Sequence, residues 1–209
     1  MAENIFEAGL SRHFTAEQLA LIRPVKVGIA GAGGLGSNCA AALVRSGFVR
    51  LRLCDFDRVE PSNLNRQFYF ADQVGRLKVE ALSENLRRIN PGLQPELVTD
   101  RITADNVLEI FADCEVVVEA FDKAETKKML IETLYRSGKL LVAASGLAGW
   151  GDFDRLRVRP ITPRFYLVGD QETAATRCCP PCAPRVGIAA SKEADIVLNW
   201  VLTRCNKQE

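Results

Sequence analysis

The glycines of Gly31-x-Gly33-Gly34-x-Gly36, followed by Asp55 and then by Ser62-Asn63-Leu64-Asn65-Arg66-Gln67, are residue types suited to holding a nucleotide. Glycine lets a backbone come close to phosphate oxygens, and the unpaired N–H groups that open a helix attract negative charge. Asp55 closes a largely apolar segment, Val49 to Cys54, where a carboxylate can accept both ribose hydroxyl protons. Arg66 can grip phosphate oxygens in pairs, and Lys78 supplies a flexible point charge. Close packing of a strand on a helix also selects glycine, so the glycines alone decide little. The acid at the next strand end favours a nucleotide, and the polar segment after it favours one other than a nicotinamide cofactor.

These residues need elements to hold them. Val25 to Ala30 reads as a strand entering the glycine turn, and Ser37 to Ser46 as a helix that Gly47 ends. Thr15-x-x-Gln18 before Leu19, Leu21 and Ile22 predicts a capping box opening a short helix, with Pro24 separating it from the first strand. Lys78 to Ile89 places Val79, Leu82, Leu86 and Ile89 on one helical face, and Asn90-Pro91-Gly92 ends it. A strand over Leu93–Thr99, a short helix over Ala104–Phe111 and a buried strand over Glu115–Ala120 follow. Then come a helix over Ala124–Ser137, stopped by Gly138, and an apolar run over Leu140–Ala144.

This alternation predicts a Rossmann-like, doubly wound α/β fold with a mainly parallel sheet. Ligands of such sheets sit beyond the carboxyl ends of the strands, so Gly31, Asp55, Asp122 and Ser145 should gather at one rim. Beyond Gly146 the pattern changes to a short antiparallel extension. Strands are expected at Arg155–Arg159 and Phe165–Val168, then a cysteine- and proline-rich stretch from Ala174 to Pro184 and a helix over Ser191–Leu202. Residues 1–209 are expected to form a single domain, with 1–23 a helical arm and 146–209 a C-terminal extension.

Composition narrows the function classes. A chain of 209 residues with 47% hydrophobic and 25% charged residues suits an ordinary globular core, and a net charge of +1 gives no argument for a nucleic-acid groove or a membrane surface. Val27 to Val44 carries no charge, but its glycines, Ser37 and Asn38 read as strand, loop and helix rather than a membrane span. The chain opens with Glu3 and Glu7 rather than a basic segment, so a cytoplasmic setting is expected. Of the seven cysteines, Cys39, Cys54, Cys114 and Cys205 are scattered, the first three in contexts of buried free thiols.

Gly31-x-Gly33-Gly34-x-Gly36, Asp55-x-Asp57, Ser62 to Gln67 and Gly75-x-x-Lys78-Val79-Glu80, in that order, resemble the ThiF/MoeB adenylyltransferases, relatives of the ubiquitin-activating enzymes. The likeness runs from Arg12 to Leu202, and the short length resembles the compact ThiF-like proteins of thiamine biosynthesis. It implies binding of ATP with magnesium and adenylation of the C-terminal carboxylate of a small ubiquitin-like sulfur carrier ending in Gly-Gly. It further implies that Asp55 holds the ribose, that Asn63, Arg66 and Lys78 contact the nucleotide, and that Asp122 organises magnesium and catalysis. Gly31, Gly33, Gly34, Gly36, Asp57 and Gln67 complete the expected nucleotide site. Arg12 resembles an arginine that reaches the partner's site, which implies a homodimer; a sulfur-donor enzyme is a possible further partner.

Each assignment has a plainer competitor. Asn63 and Arg66 can brace a loop, Asp57 can cap a turn, and Asp122 can cap the helix after it. Arg12 can be a solvated arginine, and His13, the only histidine, suits a structural or exposed position better than a general base. Cys178 or Cys179 could serve as a reactive thiol beside Arg177, or be a loop thiol. Cys179-x-x-Cys182 without a second pair argues against structural zinc. Other functional classes are a nicotinamide oxidoreductase, which leaves Asn63, Arg66 and Lys78 unexplained, and a carrier-binding protein with little catalysis. The same fold could also adenylate another carboxylate, on a peptide terminus or a modified nucleoside.

Overall fold

The computed structural model of the protein describes residues 4–204. Strands β1 (Lys26–Ala30), β2 (Arg50–Cys54), β3 (Gln94–Val98), β4 (Val116–Glu119), β5 (Leu140–Ala144), β6 (Arg157–Thr162) and β7 (Phe165–Gly169) form one sheet. Their order is β3-β2-β1-β4-β5-β7-β6, parallel throughout except for β6, which runs antiparallel to β7 at the edge. This is the doubly wound, mainly parallel sheet that the alternating pattern predicted. The antiparallel part of the extension is β6 alone, because β7 joins β5 in the parallel sense.

The strands alternate their side chains between two apolar layers. Val27, Ile29, Leu51, Leu53, Val116 and Val118 face a core shared with α2 (Ala16–Ile22), α3 (Gly34–Arg45), α4 (Lys78–Ile89) and α7 (Ala183–Thr203). Val117 and Leu141 face a smaller core with α5 (Val107–Ile110) and α6 (Ala124–Leu134). A Cβ at Gly28 would stand 2.5 Å from the Phe111 ring, so β1 needs a glycine there for α5 to close on the sheet.

Thr15 and Gln18 form the expected capping box at the start of α2. The largest departure from the pattern is α7, which begins at Ala183 rather than at Ser191. Pro184 lies in its first turn, where a missing N–H leaves no hydrogen bond unmade, so the proline starts the helix instead of breaking it. The helix predicted over Ala104–Phe111 is a single turn, Val107–Ile110, and α6 ends at Leu134, ahead of Ser137. Cys205 lies outside the described residues.

Candidate nucleotide site

The strand order turns back across β1, so the topological switch point, where sheets of this kind bind ligands, falls at the carboxyl ends of β1 and β4. The glycine turn lies there. Gly31 has φ +105°, and a Cβ there would lie 2.7 Å from the Ala120 carbonyl oxygen at the end of β4. At Gly36 a Cβ would lie 1.8 Å from the Gly31 carbonyl oxygen. No other residue lets the turn fold back on itself this tightly. Gly33 is the N-cap of α3 and carries no side chain to satisfy the first-turn N–H groups, which leaves them for an anion.

Asp55, directly after β2, touches this turn. One carboxylate oxygen accepts the Ala32 N–H at 2.7 Å and the other accepts the Asp57 N–H at 2.8 Å. Each oxygen keeps a free lone pair for a ribose hydroxyl. The bracing of the glycine turn by the same carboxylate was not visible in the sequence.

The segment from Asn63 to Tyr69 is strapped across the start of α3. The Phe68 N–H donates to Ser37 Oγ at 3.0 Å, and Ser37 Oγ donates to the Gly33 carbonyl at 2.6 Å. Asn38 Nδ2 donates to the carbonyls of Gly34 and Arg66, at 2.6 and 2.9 Å. The Tyr69 hydroxyl donates to the Ala32 carbonyl at 2.7 Å, and burial pushes that phenol well above its ordinary pKa. The strap therefore holds Arg66 beside Gly34, and the Arg66 guanidinium donates to the Ser62 carbonyl and to Asn65 Oδ1. Asn63 is buried and its Oδ1 accepts the Glu60 N–H at 3.1 Å, a capping contact of the short 3-10 turn Pro61–Asn63. Gln67 is buried with its Oε1 unpartnered, close to Gly33.

Lys78 opens α4 and pairs with Asp57. Its ammonium is 3.1 Å from the Asp57 carboxylate, and its backbone N–H donates to the Asp57 carbonyl at 2.9 Å. Asp57 thus caps the start of α4 and holds the lysine at once. Asp122 lies in the β4–α6 connection and is exposed. The N-cap of α6 is Lys123, with no side-chain capping bond, so Asp122 does not cap the helix.

Arg12 is exposed between α1 (Ile5–Leu10) and α2. Helix α1 is joined through Glu7 to Asn90, at the opposite end of α4 from Lys78. Twelve residues of helix span about 18 Å, so one chain does not bring Arg12 together with the glycine turn. His13 is exposed beside it.

The cysteine loop borders the site. Asn65 Nδ2 donates to the Pro181 carbonyl at 3.3 Å, and a Cβ at Gly34 would meet Val186 of α7 at 3.0 Å. Cys178 is exposed, Cys179 and Cys182 are half-buried, and Cys182 is the N-cap of α7. Among the described residues no group of three or more His, Cys, Asp or Glu side chains is placed to hold a metal ion. Beneath the loop, Arg185 and Asp170 form a buried pair at 2.7 Å. Burial pushes the Asp170 carboxyl up, but the N–H groups of Thr173 and Glu172, the Thr173 hydroxyl and the Arg185 charge hold it below its ordinary value.

A further buried charged group adjoins the switch point. Glu119, the last residue of β4, accepts from the Lys127 ammonium of α6 with both oxygens, at 2.9 and 3.1 Å, and from the Phe121 N–H with Oε1, at 2.7 Å. Burial nevertheless raises its pKa above the ordinary carboxyl value. Glu193 of α7 is fully buried, and neither of its oxygens has a hydrogen-bond partner. Burial pushes its carboxyl well above the ordinary value, against the opposing charge of Lys127.

The switch point, its glycine turn and the acid after the second strand define a Rossmann-like α/β protein. The chain belongs to the ThiF family, whose model matches residues 8–208. It is 32% identical over 181 residues to the adenylyltransferase and sulfurtransferase UBA4 of Candida glabrata, covering 82% of this chain and 42% of that one. It is 34% identical over 152 residues to the tRNA threonylcarbamoyladenosine dehydratase of Escherichia coli K12, covering 72% of this chain and 57% of that one. The chain thus spans about half the length of these relatives. The fold overlays on a crystal structure of the E. coli dehydratase in complex with ATP with a TM-score of 0.87, over 97% of this chain and 96% of that chain, at 24% identity. Among the described residues no helix is long and apolar enough to cross a membrane.

Proposed function

We propose that the protein binds ATP with magnesium at the rim of the sheet and adenylates a carboxylate, that of a small ubiquitin-like sulfur carrier ending in Gly-Gly. One observation carries the reading. The Asp55 carboxylate bonds to the glycine turn itself, so an acceptor for ribose hydroxyls stands next to donors for phosphate.

The reaction forms a bond from a carboxylate oxygen to the α-phosphorus of ATP and breaks the bond to the bridging oxygen, releasing pyrophosphate. A carboxylate is a poor nucleophile toward a polyanion, so the site must align it and offset the charge of the leaving group. In this reading the turn N–H groups and Gln67 seat the phosphates, and Asp55 holds the ribose. Arg66 and Lys78 offset charge, and Lys78 exchanges Asp57 for phosphate when the nucleotide enters. One carboxylate with phosphate oxygens and water is a suitable magnesium shell, so Asp122 would hold the ion that accompanies ATP. Arg12 would act across a homodimer interface, on the partner's nucleotide.

The name of the C. glabrata relative, an adenylyltransferase and sulfurtransferase, supports the carrier reading. Thiamine biosynthesis is the pathway proposed for that carrier. A second reading, a carboxylate on a modified nucleoside, is supported by the name of the E. coli relative, a tRNA threonylcarbamoyladenosine dehydratase, at 34% identity. Pyrophosphate exchange into ATP, driven in turn by a sulfur carrier of thiamine biosynthesis and by threonylcarbamoyl-modified tRNA, separates the two. Exchange with the carrier is expected; exchange with the tRNA alone would replace the first reading by the second.

A further inference from the structure

We infer that Lys127 is a positioning residue, which fixes the loop presenting Asp122 by tying the ends of β4 and β5 to α6. The inference rests on the proposed role of Asp122.

Glu119 interrupts the run of valines in β4 with a carboxylate whose side chain is 2% exposed. Its Oε1 accepts the Phe121 N–H at 2.7 Å, inside the loop itself. Lys127, in the second turn of α6, donates to both oxygens of Glu119 and to the Ala144 carbonyl at the end of β5, the last at 3.1 Å. An ammonium has three donors, and all three are used. Residues 120–123 are therefore closed into a ring of contacts, strand end to helix.

The backbone anchors the first residue of the loop, the Ala120 N–H donating to the Ala30 carbonyl at 2.8 Å, but among the described residues no side chain other than Glu119 hydrogen-bonds to residues 121–123. Lys123, the N-cap of α6, makes no side-chain cap bond, and Asp122 is exposed. Loop position thus depends on the Glu119–Lys127 pair. A buried ion pair is weak evidence for stability, since apolar residues of similar volume often replace one without loss. Placement of the loop that carries Asp122 gives this buried pair a role other than stability.

The test compares Lys127→Met, Lys127→Arg, the double variant Glu119→Leu/Lys127→Met and Asp122→Asn. Lys127→Met leaves Glu119 buried and unpaired and can unfold the chain; the double variant removes both charges and keeps the test open. The readouts are amide hydrogen exchange over residues 120–123 and the affinities for a non-hydrolysable ATP analogue and for manganese bound alongside it. The clamp-free variants should exchange at least about tenfold faster over this loop and bind manganese about tenfold more weakly, with analogue affinity within about threefold of the parent. Lys127→Arg should recover most of both. Asp122→Asn should weaken manganese binding without speeding exchange. Unchanged exchange in the folded clamp-free variants would overturn the inference, as would unchanged manganese affinity there while Asp122→Asn loses it. Unchanged manganese affinity in Asp122→Asn overturns instead the role of Asp122 on which the inference stands.

Discussion

Replacing Glu193 by glutamine should flatten the dependence of stability on pH. Glu193 is fully buried on α7 with neither oxygen partnered. The groups that bear on it are Lys127 of α6, Glu119 of β4 and the Cys39 thiol of α3. Burial pushes its pKa well above 4.5, so the folded protein keeps the proton at a pH where the unfolded chain has released it. A raised acid contributes its full stability below the unfolded pKa and loses it as pH rises toward the folded one. Over that window each pH unit costs about 1.4 kcal/mol. Glutamine has no proton to exchange; its unpartnered amide adds a penalty of about 1–3 kcal/mol that does not vary with pH. The slope is therefore the informative quantity. Urea unfolding of both proteins from about pH 5.5 upward should show the parent losing stability relative to Glu193→Gln, with a slope that approaches about 1.4 kcal/mol per pH unit until the folded carboxyl releases its proton. Parallel stability curves would refute the assignment of a buried, protonated acid.

Three further outcomes are expected. Gly36→Ala would set a Cβ against the Gly31 carbonyl, at 1.8 Å without rearrangement, and should destabilise the fold by more than about 3 kcal/mol in urea or abolish soluble expression. Asp122→Asn should retain ATP affinity within a few-fold but lose about 100-fold or more in carboxylate-dependent pyrophosphate exchange, and near-normal exchange would remove it from the catalytic set. Replacing Cys178, Cys179 and Cys182 together by serine should preserve that exchange, with the melting temperature measured alongside; a folded variant that adenylates but cannot form thiocarboxylate from a sulfur donor would make one of these thiols a sulfur relay.

The parts of the site written in local pattern were legible in the sequence. Glycine spacing, the acid after the second strand and the segment Ser62 to Gln67 depend on neighbours in the chain, and the alternating elements set the strand ends that collect them. The contacts that join distant segments were not. Asp55 bracing Ala32, Asp57 holding Lys78 and Lys127 closing on Glu119 each need the fold to exist first. Two of the missed acids nevertheless left signals. Glu119 ends an unbroken run of valines, and Glu193 occupies a position on the apolar stripe of α7 between Ala189, Ala190, Ala194 and Val197. A carboxylate placed where a strand or stripe demands an apolar residue marks a buried charge with a tertiary partner or a raised pKa. The start of α7 was missed for a different reason: prolines and cysteines read as loop, whereas Pro184 is compatible with a first helical turn.

The most direct measurement is calorimetric titration of magnesium ATP and of NAD into the parent protein and into Asp55→Ala. The Asp55 carboxylate bonds to the glycine turn and is the group proposed to hold the ribose, and losing hydrogen bonds to a charged group costs about 1.5–3 kcal/mol. ATP should bind the parent in preference to NAD and bind Asp55→Ala about 10- to 100-fold more weakly. Equal ATP affinity in the two proteins, or preference for NAD in the parent, would contradict an ATP site at this rim.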